Sequence, residues 1–138
     1  MKLLYLIFFL FINLSFLSAN NDFYGEGVSH FEKEELDKAK FKFEQDIVFN
    51  PKSEKSYLYL SKIYNKQNKK DLEKKNLKTV ILLNPKNEEA TYNLVKLKFK
   101  ESDFSGSKEL IENLLDFCKE YCQKSIALQT EIENSIKK

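Results

Sequence analysis

The side chains that could perform chemistry are few and widely separated. The 138 residues include one histidine, two cysteines and three glycines. His30 follows the apolar positions of an early helical stretch, with no cysteine or second histidine near it. A general base needs a nucleophile within reach, and none is visible, so His30 reads as a packed or partly exposed imidazole. No Gly-x-Ser-x-Gly elbow occurs, and Gly25, Gly27 and Gly106 do not make a phosphate-cradling loop. All 23 basic residues are lysine, so the bidentate guanidinium fork is missing, which argues against a specific nucleic-acid reader. The lysines are interleaved with 21 acids for a net charge of +2, the pattern of a solvated surface. No enzyme, no cofactor and no metal site is expected.

Cys118 and Cys122 are the remaining reactive pair, and two readings stand for them. In an oxidising compartment they can form a disulfide, provided a turn near Lys119 relieves the awkward approach of sulfurs four residues apart on a helix. Otherwise they are two small, weakly hydrophobic fillers of a helix interface. Two thiolates without further ligands do not hold a zinc ion.

Residues 1–19 stand apart from the rest. One lysine precedes an apolar run from Leu3 to Ile12 that continues to Leu17, with no acid. That layout is an export signal, and the run falls short of the roughly 30 Å of a bilayer core. Cleavage after Ala19 would leave Leu17 where a small residue is preferred, so an uncleaved anchor is the competing reading. The expected location is the periplasm or cell envelope, with membrane contact only through this segment if it stays uncleaved. The Lys, Asn, Ile and Phe bias without Arg fits coding by an AT-rich bacterial genome.

The elements that must position everything else follow from a repeat. The two prolines stand in Asn50-Pro51-Lys52 and Asn84-Pro85-Lys86, 34 residues apart. The same offset pairs Phe43 with Leu77, Ile47 with Ile81 and Leu60 with Leu94, apolar with apolar. Between the prolines, Tyr57, Leu60, Ile63 and Tyr64 fall at helical spacing, a polar run follows, and Leu77, Val80 and Ile81 resume it. Each unit is a helical hairpin ended by Asn-Pro, and Ser53 and Asn87 are placed to cap the next helix.

A 34-residue helix-turn-helix period resembles the tetratricopeptide repeat (TPR). The first repeat places Phe23, Gly27, Ala39, Phe43 and Pro51 on the family's pattern, the second Tyr57, Leu60, Ser61, Tyr64, Leu77 and Pro85, the third Ala90, Leu94, Phe104, Ser107, Ile111 and Leu114. Departures are Asp46 and Glu73 where alanine is usual, His30 and Lys98 where tyrosine is usual, and Lys119 for the third proline. The implied fold is all-α, a right-handed superhelical stack of about three hairpins plus a C-terminal capping helix. Repeats are expected at about 20–53, 54–87 and 88–121, with the end helix at 122–138, all in one domain from residue 20.

In this family the first helix of each hairpin lines the concave side. The resemblance puts Tyr24, Val28 and Phe31 there from the first repeat, Leu58, Tyr59, Lys62 and Lys66 from the second, and Tyr92, Lys96 and Phe99 from the third. These form the candidate partner-binding groove. Asn65, Glu89, Asn93 and Lys100 occupy further outward positions of the same helices. The competing reading is that Tyr24, Phe31 and Phe99 pack against neighbouring helices. The Lys and Asn clamp of the subgroup that binds chaperone tails is absent, its positions being Tyr24, Val28, Tyr59, Glu89 and Asn93. The expected function is a non-catalytic interaction module or scaffold binding a protein or peptide. The alternative is a secreted or surface-anchored structural protein that self-associates, a homo-oligomer without a groove ligand. Tyr59 lies outside the expected packing set, so Tyr59→Ala is expected to leave the helices intact.

Overall fold

The computed structural model describes residues 22–137. The proposed export segment, residues 1–19, lies outside them. Among the described residues seven helices follow one another: α1 (Phe23–Glu32), α2 (Leu36–Phe49), α3 (Glu54–Lys66), α4 (Lys70–Leu83), α5 (Glu88–Lys100), α6 (Phe104–Leu115) and α7 (Cys122–Ile136). The described residues contain no strand. Each helix packs on its chain neighbours, α1 on α2, α3 on α4 and α5 on α6 within hairpins, α2 on α3 and α4 on α5 between them. α7 lies against α6 and α5 and caps the stack. No described helix is long and apolar enough to cross a membrane.

The repeat is visible in the backbone itself. Helices α2, α4 and α6 begin 34 residues apart, as do α3, α5 and α7. Within each hairpin one residue sits in the left-handed region, Glu34 (φ 57°), Asn68 (φ 56°) and Ser102 (φ 61°), again 34 apart. The following N–H groups of Glu35, Lys69 and Asp103 donate to the carbonyls of His30, Tyr64 and Lys98, closing the same helix-ending turn three times. Glycine is the usual occupant of that backbone position, and none of the three is glycine, so composition hid the turns.

A stack has no single centre. One apolar cluster joins Ala39 and Phe43 of α2 to Leu60, Ile63 and Tyr64 of α3. A second joins Leu77 and Val80 of α4 to Ala90, Leu94 and Leu97 of α5. The third gathers Val95, Ile111 and Leu114 under Leu128 and Ile132 of α7. Each hairpin thus buries a face only with the help of the next, and fully burying a side chain such as Ile111 or Leu114 contributes about 1.5–3 kcal/mol.

Volume is traded between two repeat positions. Gly27 and Phe43 become Ser61 and Leu77, then Val95 and Ile111. A Cβ on Gly27 would stand 2.7 Å from a Phe43 ring carbon, so here the missing side chain makes room for the ring. As the α2 residue shrinks in later repeats, its partner grows.

The hairpin junctions differ. Asn50 and Asn84 end α2 and α4 with ψ values of 79° and 92°, outside the α region, as expected before proline. Asn87 caps α5 by accepting the Ala90 N–H at 2.9 Å. Ser53 stands at the matching N-cap of α3 without a capping bond; its hydroxyl instead donates to Ser56, whose own hydroxyl donates to Asp46 at 2.5 Å. That chain gives buried Ser56 and the carboxylate at an alanine position partners across the first junction. The third junction has no proline. There Glu88 accepts three backbone N–H groups, those of Lys119, Glu120 and Tyr121, each at 2.9 Å. These bonds, Lys119 first and Tyr121 next, hold its carboxyl below the usual range. Cys118 and Cys122 are joined in a disulfide across the same turn, their Cα atoms 5.3 Å apart.

Candidate functional site

The face formed by the first helices is not one uniform groove. Its first part is filled by aromatic rings. Tyr59 of α3 stacks on Phe43 at 4.9 Å between centroids and receives the edges of Phe31 and Tyr24 at 5.2 and 5.9 Å. Tyr24 also meets Phe43 at 6.0 Å. Burial first, and then the neighbouring Tyr59, push the Tyr24 phenol up. Tyr24, Val28, Phe31 and Tyr59 are therefore partners of the first apolar cluster. This corrects the expectation that Tyr59 lies outside the packing set, because α1 and α3 lean together and Phe43 needs a ring above it. Lys62 and Lys66 lie over this cluster, their ammonium groups 4.8 Å from the Tyr59 centroid and 5.5 Å from that of Phe31.

The second part is open. A pocket of about 300 Å³ lies where α3, α4 and α5 meet, with Phe31 of α1 at one margin. From α3 it takes Ser61, Lys62, Asn65 and Lys66; from α5, Glu89, Asn93, Lys96, Leu97 and Lys100; from α4, Glu73. Of the ten groove candidates it brings together four: Phe31, Lys62, Lys66 and Lys96. Leu58 packs on the second cluster instead. Tyr92 and Phe99 turn towards the third, where Tyr92 meets Tyr121 at 5.3 Å and Phe99 meets Phe104 at 5.8 Å.

Asn65, Glu89, Asn93 and Lys100 are legible in the sequence as further outward positions of the first helices. Ser61, Leu97 and Glu73 were not legible as lining residues: Ser61 holds a core position of the pattern, Leu97 is none of the outward positions and is buried in the second cluster, and Glu73 belongs to a second helix. The one sequence signal for Glu73 was a carboxylate at a position where alanine is usual.

The pocket's charges are partly committed. Lys62 pairs with Glu89 at 2.8 Å and Lys66 with Glu34 at 2.8 Å. Glu73, only 5% exposed, accepts a hydrogen bond from the Asn65 amide at 2.9 Å. Burial is the strongest influence on its carboxyl and raises it above the usual range, against the pull of Asn65, Lys100 and Lys96.

Elsewhere the chemistry stays thin. His30 Nδ1 lies 2.5 Å from Glu35 Oε2, a carboxylate held below its usual range by Lys38 first and His30 second. That pair spans the turn between α1 and α2, and no serine or cysteine completes it among the described hydrogen bonds. No described group of three or more His, Cys, Asp and Glu side chains is placed to hold a metal.

Solved structures share this architecture. The first TPR of Spaghetti (RPAP3), bound to the HSP90 peptide SRMEEVD, matches with a TM-score of 0.76 at 13% identity, over 84% of this chain and 91% of that one. The TPR2B domain of yeast Sti1, in its pHsp70 complex, gives 0.75 at 12% identity over 83% and 95%. SycD, a type III secretion translocator chaperone of Yersinia enterocolitica, gives 0.74 at 10% identity over 84% and 92%. No family profile and no curated protein matches the sequence. The chain has a tetratricopeptide-like helical-repeat fold, one found in both eukaryotic and bacterial proteins. The Spaghetti and Sti1 domains were each solved with a bound partner.

Proposed function

We propose that this protein is a non-catalytic interaction module of the bacterial cell envelope that holds a protein segment in the pocket between α3, α4 and α5. The pocket carries the reading: it opens on the first-helix faces, and the stack leaves it unfilled while filling the neighbouring aromatic region. Lysines and amides at its margin offer hydrogen-bond donors to a polypeptide, and Phe31 and Leu97 offer apolar contact. Export rests on residues 1–19 alone. A photo-crosslinking residue at Asn93 should capture a partner in intact envelopes, and the same residue at Lys78 on α4 should not. Capture from Lys78 alone would overturn the assignment of the face, and a chain that fractionates with cytosol would overturn the location.

A second reading has its own observation. Val48 and Phe49 of α2 are each 74% exposed, and Leu82 of α4, 34 residues after Val48, is 82% exposed. Large apolar side chains left in water at matching repeat positions favour self-association. Sedimentation equilibrium should then show a mass that rises with concentration and falls back to that of one chain in Val48→Lys/Leu82→Lys.

A further inference from the structure

The second hairpin carries a carboxylate where the other two carry small side chains. The repeat position is Ala39 in the first hairpin and Ser107 in the third, both fully buried, and Glu73 in the second. A small side chain closes the equivalent contact twice in the same chain, so stacking does not call for an acid here. Glu73 lines the pocket, and the Asn65 amide occupies only its Oε1.

The groups facing Glu73 come from both neighbouring helices. α3 supplies Lys62 and Lys66; α5 supplies Glu89, Lys96 and Lys100, with Glu101 just beyond its end. Lys62 and Lys66 are engaged by Glu89 and Glu34. Lys96 and Lys100 have no carboxylate within ion-pair distance among the described residues. A cation entering to meet Glu73 would be ringed by four lysines, whereas an anion would find two ammonium groups without a carboxylate partner, that of Lys96 resting over the Tyr92 ring, beside the Asn93 amide. Bringing that anion beside Glu73 sets two carboxylates close together in a partly dry site, where both cannot stay ionised.

We propose that the pocket takes an acidic side chain of the bound protein segment together with one proton. The incoming carboxylate lies against Lys96, Lys100 and the Asn93 amide; Glu73 takes a proton from solvent and donates the resulting O–H to it. The pocket's volume of about 300 Å³ leaves room for such a side chain. This deepens the concave-face reading and rests on it. The sign follows from linkage: binding that takes up a proton weakens as pH rises. Burial has already moved Glu73 towards the protonated form, so less free energy is needed to complete the step.

The test uses the full chain and an acetylated, amidated tetraglutamate peptide, titrated calorimetrically in two buffers of different ionisation enthalpy. The peptide should bind with uptake of close to one proton, and its affinity should fall by up to roughly tenfold per pH unit between about pH 5.5 and 7.5, where its own carboxylates stay ionised. Glu73→Gln should bind through its amide N–H with no proton uptake and a flat pH profile. Lys96→Gln/Lys100→Gln should lose at least about tenfold. Proton-independent binding by the parent would overturn the role of Glu73. Equal binding of tetraglutamine, or no binding of tetraglutamate at any pH, would overturn recognition of an acid. Glutarate binding as tightly as the peptide would show a small-anion site and overturn the protein segment as occupant. The concave-face reading fails separately, if crosslinks arise only from the second helices.

Discussion

The first and third hairpins meet one packing problem with opposite parts. In the first, an absent side chain at Gly27 admits the Phe43 ring, and Tyr24, Phe31 and Tyr59 close over it. In the third, Val95 and Ile111 share the same space without a ring at either position, and the pocket opens on the α5 face that the third hairpin turns to the second. The ends differ as well. An Asn-Pro turn leads out of the first hairpin, whereas Glu88, a disulfide and α7 close the third. A binding surface in a repeat stack is thus what local packing leaves over, and one large ring can remove it.

Removing the cover should have the largest effect. Truncation before Tyr121 exposes Val95, Ile111 and Leu114 and withdraws Leu128 and Ile132, a loss on the order of 5 kcal/mol or more, so the truncated chain should melt or aggregate. Unchanged urea unfolding would show that α7 is a tail. Tyr59→Ala should cost about 2–4 kcal/mol, because the ring is a member of the first cluster, whereas Asn93→Ala at the open pocket should stay within about 0.5 kcal/mol of the parent. Equal stabilities would erase the distinction between the two parts of the first-helix face.

The volume trade can be tested by moving one repeat's solution into another. Gly27→Ser should destabilise by about 1–3 kcal/mol through overpacking against Phe43. Combined with Phe43→Leu it recreates the pair found in the second hairpin, and the double variant should be more stable than the two single effects summed. Strict additivity would show that the positions do not share space.

At the third junction, Glu88→Gln should lower the melting temperature at neutral pH. Its carboxyl is held below the usual range in the fold, so the stability it contributes is present above the unfolded value of about 4.3 and is lost as pH falls through the lower, folded one. Parent and variant should therefore converge in acid; a constant difference would mean that the three N–H bonds do not depend on the charge. The smallest effect is expected at the turns. Ser102→Gly should raise stability by about 0.5–1 kcal/mol by relieving a left-handed serine, with a smaller gain at Asn68, whose residue type tolerates that conformation.

The class of the fold and its period were written in Asn50-Pro51, Asn84-Pro85 and the apolar positions offset by 34, because proline and helical spacing act locally and survive without neighbours. The outward positions of the first helices were legible for the same reason. The sequence could not say which of them a stack would cover. Tyr59 reads as an exposed aromatic until α1 and α3 lean together, and Ser53 reads as a cap until Ser56 and Asp46 draw its hydroxyl away. Glu88 reads as a first-turn acid, and only the return of the chain 31–33 residues later presents three N–H groups to it. Glu73 was visible as a misplaced acid; its place beside Lys96 and Lys100 came from packing α4 against α5. Local chemistry depends on a few adjacent residues, whereas burial and pairing depend on which faces meet, and that was decided only when the hairpins stacked.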